Sequence, residues 1–129
     1  MNENNRIKAK EWYEKAKHDL ETVNLIIESS GYPDTATVLL QQAVEKYLKG
    51  YLIGRGWKLI KTHDIKFLID EAIKYNNYLE KFYDLADWLT KYYIEEKYPP
   101  VVIEVSLEEL KANYEIANEL IKIILETKC

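Results

Sequence analysis

An all-α fold, an up-and-down four-helix bundle with an additional short helix, follows from three observations. Glycine and proline are scarce, four and three in 129 residues, so the chain has few places to turn sharply. Hydrophobic residues make up 47% of it and recur at three- and four-residue steps over long stretches, the period of a helix with one apolar face. The breaks that do occur, at Gly31–Pro33, Gly54–Gly56, Asn76–Asn77 and Pro99–Pro100, cut the chain into segments of helical length. Such segments with short connections close most simply as an antiparallel bundle. A chain of this length forms one domain, 1–129, around one core.

The first helix is expected over Arg6 to Ser29, where Ala9, Trp12, Ala16, Leu20, Val23 and Ile27 share a face. Gly31 suits its end, because glycine takes the left-handed conformation that stops helices. Pro33 suits the first turn of the second helix, expected to run to Ile53. Ala36, Leu39, Leu40, Ala43, Val44, Tyr47, Leu48, Tyr51 and Leu52 cover more than one stripe of that helix. A face so wide implies burial on two sides, either at the centre of the monomer or against a second subunit. Gly54 and Gly56 end the helix with Arg55 between them.

Trp57 to Lys61 reads as a connector. Thr62 suits an N-cap, with Asp64 in the first turn where the helix dipole favours negative charge. Ile65, Leu68, Ile69, Ala72 and Ile73 give a short third helix. The fourth is expected from Tyr78 to about Glu95, with Leu79, Phe82, Ala86, Leu89 and Tyr93 on one face. Two prolines stop it, and Val101–Val105 reads as an extended linker. Ser106 then opens the last helix through the capping box Ser106-Leu107-Glu108-Glu109.

Composition excludes several function classes. The net charge of −4 gives the whole protein no attraction for polyanions, so any nucleic-acid contact must come from a local patch. The one cysteine, Cys129, has no partner for an internal disulfide and no metal-ligating neighbours. The polar start of the chain lacks the apolar core of a signal peptide, and no run reaches the length of a membrane span. A cytoplasmic protein with no membrane role is expected. No glycine-rich phosphate loop, metal-ligand cluster or nucleophile–base pair appears, so neither cofactor nor metal is expected.

The chemistry concentrates in Arg55, Lys58, Lys61 and His63, a basic cluster in an acidic protein. Contacts to phosphates require positive charge more than fixed spacing. Trp57 offers either a stacking surface or an apolar plug at the bundle end. His63 reads either as a ligand contact or as a side chain bonding the loop backbone; His18, beside Asp19, reads as a solvated surface residue. Tyr93, Lys97 and Tyr98 offer a second group, a wall for a base with a cation beside it, or else an aromatic cap on the bundle.

Ala36-x-x-Leu39-Leu40-Gln41-Gln42-Ala43-x-Glu45-Lys46-x-Leu48-Lys49, then Gly54-x-Gly56, then Lys61-Thr62-His63-Asp64-Ile65, resembles the HEPN (higher eukaryotes and prokaryotes nucleotide-binding) domain family. Tyr93-x-x-x-Lys97-Tyr98-Pro99 is similar to that family's Tyr…Arg-Tyr-Pro segment. The resemblance covers nearly the whole chain in the right order. It implies an all-α bundle, homodimerisation and association with nucleotide or RNA. It also implies a nucleotidyltransferase partner protein, the two acting as a toxin–antitoxin pair.

Ribonuclease members of the family carry Arg, four to six residues, then His. Here Arg6 and His18 have eleven residues between them, and Arg55 and His63 have seven. Lys58 and His63 have four, but lysine lacks the planar fork of arginine. No catalytic residue is therefore expected from the family motif. Three readings follow: a nucleotide- or RNA-binding module; a metal-independent ribonuclease using His63 with Lys58 or Arg55; and a structural adaptor without chemistry.

Overall fold

The computed structural model describes residues 2–96 and 104–126, excepting the side chains of residues 92–96. Helix α1 spans Glu3–Glu28, α2 Pro33–Gly54, α3 Ile65–Ile73, α4 Tyr83–Glu96 and α5 Leu107–Glu126; a 3-10 segment, Asn77–Phe82, precedes α4. No strand occurs among the described residues. The expected all-α bundle, four long helices and one short one, is the fold observed.

Helix α2 is the axis. Nearly every residue from Leu40 to Gly54 is buried, and the helix packs against α1, α3, α4 and α5. Its wide apolar face is therefore covered within the monomer. Leu40, Leu48, Leu52 and Tyr51 are among the largest fully buried side chains, joined by Ile65, Leu68 and Ile69 from α3, Leu79, Phe82 and Leu89, and Leu110 and Leu120 from α5. Full burial of one such side chain contributes about 1.5–3 kcal/mol.

Helix α1 runs antiparallel to α2. Asn5 lies by Gly56, Tyr13 stacks on Tyr47 with ring centroids 5.8 Å apart, and Asp19 pairs with Lys46 at 2.6 Å. Gly50 permits the close approach: a Cβ there would stand 2.6 Å from Tyr13 Cε1. The apolar face expected for α1 is the one that packs, with Ala9, Ala16 and Val23 buried.

Local chemistry shifts several boundaries. Helix α1 begins before Arg6 because Asn2 caps it, its side chain accepting from the Asn5 amide at 2.9 Å. At the other end Ser30, not Gly31, takes the left-handed conformation (φ 56°). The Ser30 and Gly31 amides close the helix on the Ile27 and Ile26 carbonyls, the paired bonds of a Schellman motif. The cap of α3 is Asp64, not Thr62: Asp64 Oδ1 accepts from the Phe67 amide at 3.1 Å, and Thr62 Oγ1 accepts from the Asp64 amide. Asp64 directly precedes Ile65, the first buried residue of the helix, so it holds the capping position. The stretch read as the start of the fourth helix is 3-10. Three residues per turn eclipses Leu79 and Phe82, and both are fully buried. Ser106 does open α5, accepting from the Glu109 amide at 3.0 Å. Most of the expected linker, Val101–Val105, lies outside the described residues; Val105 is buried at the foot of α5.

Candidate nucleic-acid interface

The site is made by the way α2 ends. Gly56 has φ 89°, the left-handed conformation, and its amide bonds the Ile53 carbonyl while that of Trp57 bonds Leu52. This Schellman closure reverses the chain, so the connector from Trp57 to Asp64 runs back along α2. Trp57 fixes the reversal. Its ring packs half-buried on the core, and its indole N–H donates to Glu71 Oε1 on α3 at 3.2 Å. The ring is thus committed to holding the connector on the bundle. Glu71 also accepts from Lys74 at 2.6 Å, and Lys74 and Trp57 together hold its carboxyl below the usual value.

Arg55 sits at the helix end. Its guanidinium lies 3.6 Å over the Tyr51 ring, and Nη1 donates to the Tyr51 carbonyl at 2.9 Å. A cation there also faces the negative end of the helix dipole. Lys58 and Lys61 are exposed on the connector, and neither forms an ion pair with any described residue. Exposed Leu59 and Ile60 lie between them.

His63 lands on the middle of α2. Its Nδ1 lies 3.0 Å from Glu45 Oε1, with 60% of the His63 side chain exposed. Beneath it, Lys49 Nζ meets Glu45 Oε2 at 2.9 Å and lies 5.7 Å over the Trp12 ring. Gln41 Nε2 donates to Glu45 Oε1 at 3.1 Å. The anchors of His63 and Arg55, Glu45 and Tyr51, are six residues apart, roughly 9 Å along the helix axis. The cationic group is therefore a strip strung along the connector, from Arg55 at the end of α2 to His63, whose two anchors stand about 120° apart around the helix. His18 is exposed on α1, as expected. Of the second group, Tyr93 lies on α4 with its side chain outside the described residues, and Lys97 and Tyr98 lie outside them altogether.

The buried members of this network were not among the sequence-derived candidates. Gln41, Glu45 and Lys49 stand four residues apart, a buried polar line down one side of α2. That spacing is the signal from which they were recoverable.

The HEPN domain family model matches residues 9–128. The chain belongs to the HEPN domain family. The solved structure of ST0689, described as an archaeal HEPN homologue, superposes with a TM-score of 0.72 at 25% identity, over 92% of this chain and 95% of that one. No curated protein matches. The matched HEPN segment contains every described member of the strip, from Arg55 to His63, and the Gln41–Glu45–Lys49 line beneath it. Among the described residues no group of side chains has the composition of a metal site, and no helix is long and apolar enough to cross a membrane.

Proposed function

We propose that this HEPN domain binds nucleotide or RNA through the strip Arg55, Lys58, Lys61 and His63. The observation that carries the reading is the connector itself. It holds two exposed lysines without ion-pair partners among the described residues, between an arginine and a histidine anchored on one helix. Positive groups in that disposition suit a chain of phosphates, while the rest of an acidic protein repels it. Tyr93, Lys97 and Tyr98 are assigned to the base side on resemblance to the family's segment. Homodimerisation and a nucleotidyltransferase partner in a toxin–antitoxin pair belong to the same proposal. Light scattering and co-purification test them.

The direct test is titration calorimetry with common nucleotides and short single-stranded RNAs. Binding that weakens in Lys58→Ala/Lys61→Ala supports the strip. A protein that takes up no heat with any of them ends the proposal.

One contact favours a second reading. A histidine bonded through Nδ1 to a carboxylate is the arrangement general bases use. A metal-independent ribonuclease using His63 with Lys58 or Arg55 cleaves RNA in the presence of a chelator and loses that cleavage in His63→Ala. Cleavage that survives the substitution removes this reading.

A further inference from the structure

Trp57, the ring beside the connector lysines, is occupied in holding the connector on the core. A second tryptophan reaches the same network from the other side. The Lys49 ammonium meets Glu45 Oε2 at 2.9 Å and lies 5.7 Å over the Trp12 ring, while Glu45 Oε1 lies 3.0 Å from His63 Nδ1. Trp12 on α1 and His63 on the connector thus flank one buried ion pair. Buried indole N–H groups ordinarily find an acceptor, as those of Trp57 on Glu71 and Trp88 on Glu109 do. Trp12 is the exception: it is partly exposed, and its N–H bonds to no described residue.

Helix α1 accompanies the connector over this stretch. Asn5 lies by Gly56, where the connector leaves α2, and the contact of Trp12 with Lys49 falls between there and Glu45, where His63 lands. Lys8 and Lys15 stand about one turn to either side of Trp12 on the same face of α1. Both are exposed, and neither forms an ion pair with any described residue. Asp19, next along that face, is taken by Lys46 at 2.6 Å. Glu11 borders the face on the side away from Trp12.

We infer that Trp12 is the base-stacking surface of the strip and that Lys8 and Lys15 continue its phosphate contacts onto α1, so that a bound single strand lies between the connector and α1 with a base on the indole. The inference rests on the nucleic-acid reading above and supplies what that reading lacks, a contact to the bases. Phosphate contacts alone hold any polyanion of suitable reach. A base on an aromatic ring adds affinity without demanding a sequence, since every base has a π-face. Bases within a duplex are stacked on one another, so the ring selects unpaired strands.

The test has two arms. Wild-type protein is irradiated with uridine decamers carrying 5-iodouridine, and mass spectrometry locates the crosslinked peptide; Trp12 or its neighbours on α1 are expected. Anisotropy then compares a uridine decamer with an abasic decamer of the same backbone. The bases are expected to tighten binding by about fivefold or more, and Trp12→Ala to bring the ratio within about twofold of parity. Trp12→Phe keeps a ring and retains part of the preference. Lys8→Ala/Lys15→Ala weakens both strands alike and leaves the ratio in place. Crosslinks that all fall away from α1, or an undiminished ratio in folded Trp12→Ala, overturn the inference while leaving the nucleic-acid reading standing. Unchanged affinity in Lys8→Ala/Lys15→Ala overturns the path along α1. If Trp12→Ala fails to fold, the wild-type crosslink decides the matter with Trp12→Phe. If neither strand binds, the nucleic-acid reading falls and the inference falls with it.

Discussion

The ammonium of Lys49 and the carboxylate of Glu45 meet at 2.9 Å, one turn apart on α2, with 7% and 9% of their side chains exposed. Removing both charges from water is costly, and the pair recovers that cost only while both are present. Glu45→Leu leaves a buried cation facing an apolar side chain, and Lys49→Met leaves a buried carboxylate with only His63 and Gln41 among the described residues. Each is expected to lower stability by about 3–5 kcal/mol. The double variant is expected to regain most of that loss. Urea unfolding of the four proteins checks it. Additive losses would show that the two groups are not coupled.

Gly50 is a second point where α2 cannot be altered freely. Alanine is the better helix former by about 1 kcal/mol. Yet its Cβ would stand 2.6 Å and 2.9 Å from two atoms of the Tyr13 ring and 3.1 Å from Trp12 Cβ. The ring is stacked on Tyr47 and Trp12 Cβ is fixed to the α1 backbone, so neither yields easily. Gly50→Ala is therefore expected to destabilise by about 1–3 kcal/mol despite its propensity. Tyr13→Ala in the same background relieves the contact. A melting temperature unchanged or raised in Gly50→Ala refutes the close packing of α1 on α2.

The helices were legible in the sequence because one periodicity, apolar residues every three or four positions, serves both local structure and burial. Ser106 was legible because a cap needs only its own neighbours. The misplaced features share a different cause. Thr62 and Asp64 are both capping residues, and only the burial of Ile65 selects between them. The 3-10 turn depends on Leu79 and Phe82 entering the core together. The contact of His63 with Glu45, eighteen residues back, depends on the reversal at Gly56, which the glycine announced without giving its direction. Sequence put the basic residues near one another; only the fold shows that His63 stands on a buried carboxylate.

Tyr83 gives a spectroscopic test away from the strip. Its hydroxyl donates to Asp70 Oδ1, and that bond, with burial and the nearby charges of Asp70 and Glu80, pushes its titration up to about 12. The neutral phenol is favoured in the folded state. Its stabilisation is thus complete below the ordinary tyrosine value near 10 and is lost as pH rises from there through about 12. In Asp70→Asn the bond loses its anionic acceptor, and Tyr83 is expected to titrate closer to 10. Absorbance of tyrosinate against pH, compared between wild type and Tyr83→Phe, isolates this one group. A titration of Tyr83 at the ordinary value in the wild type excludes the bond.

The lysines of the connector predict a salt dependence as well as an affinity. If Lys58 and Lys61 each neutralise one phosphate of a single strand, binding releases the counterions of both. The logarithm of the affinity then falls with the logarithm of salt concentration by about 0.7 for each contact. Lys58→Ala and Lys61→Ala are each expected to reduce the slope by about 0.7, and the double variant by about 1.4. Both lysines are exposed and unpaired with any described residue, so neither substitution should move the melting temperature by much. The connector stays in place because Trp57, Glu71 and the Gly56 turn hold it without them. Anisotropy titrations at four or more salt concentrations measure the slopes. An affinity that drops while the slope stays fixed would mean the lysines act through the shape of the connector, not by meeting phosphates.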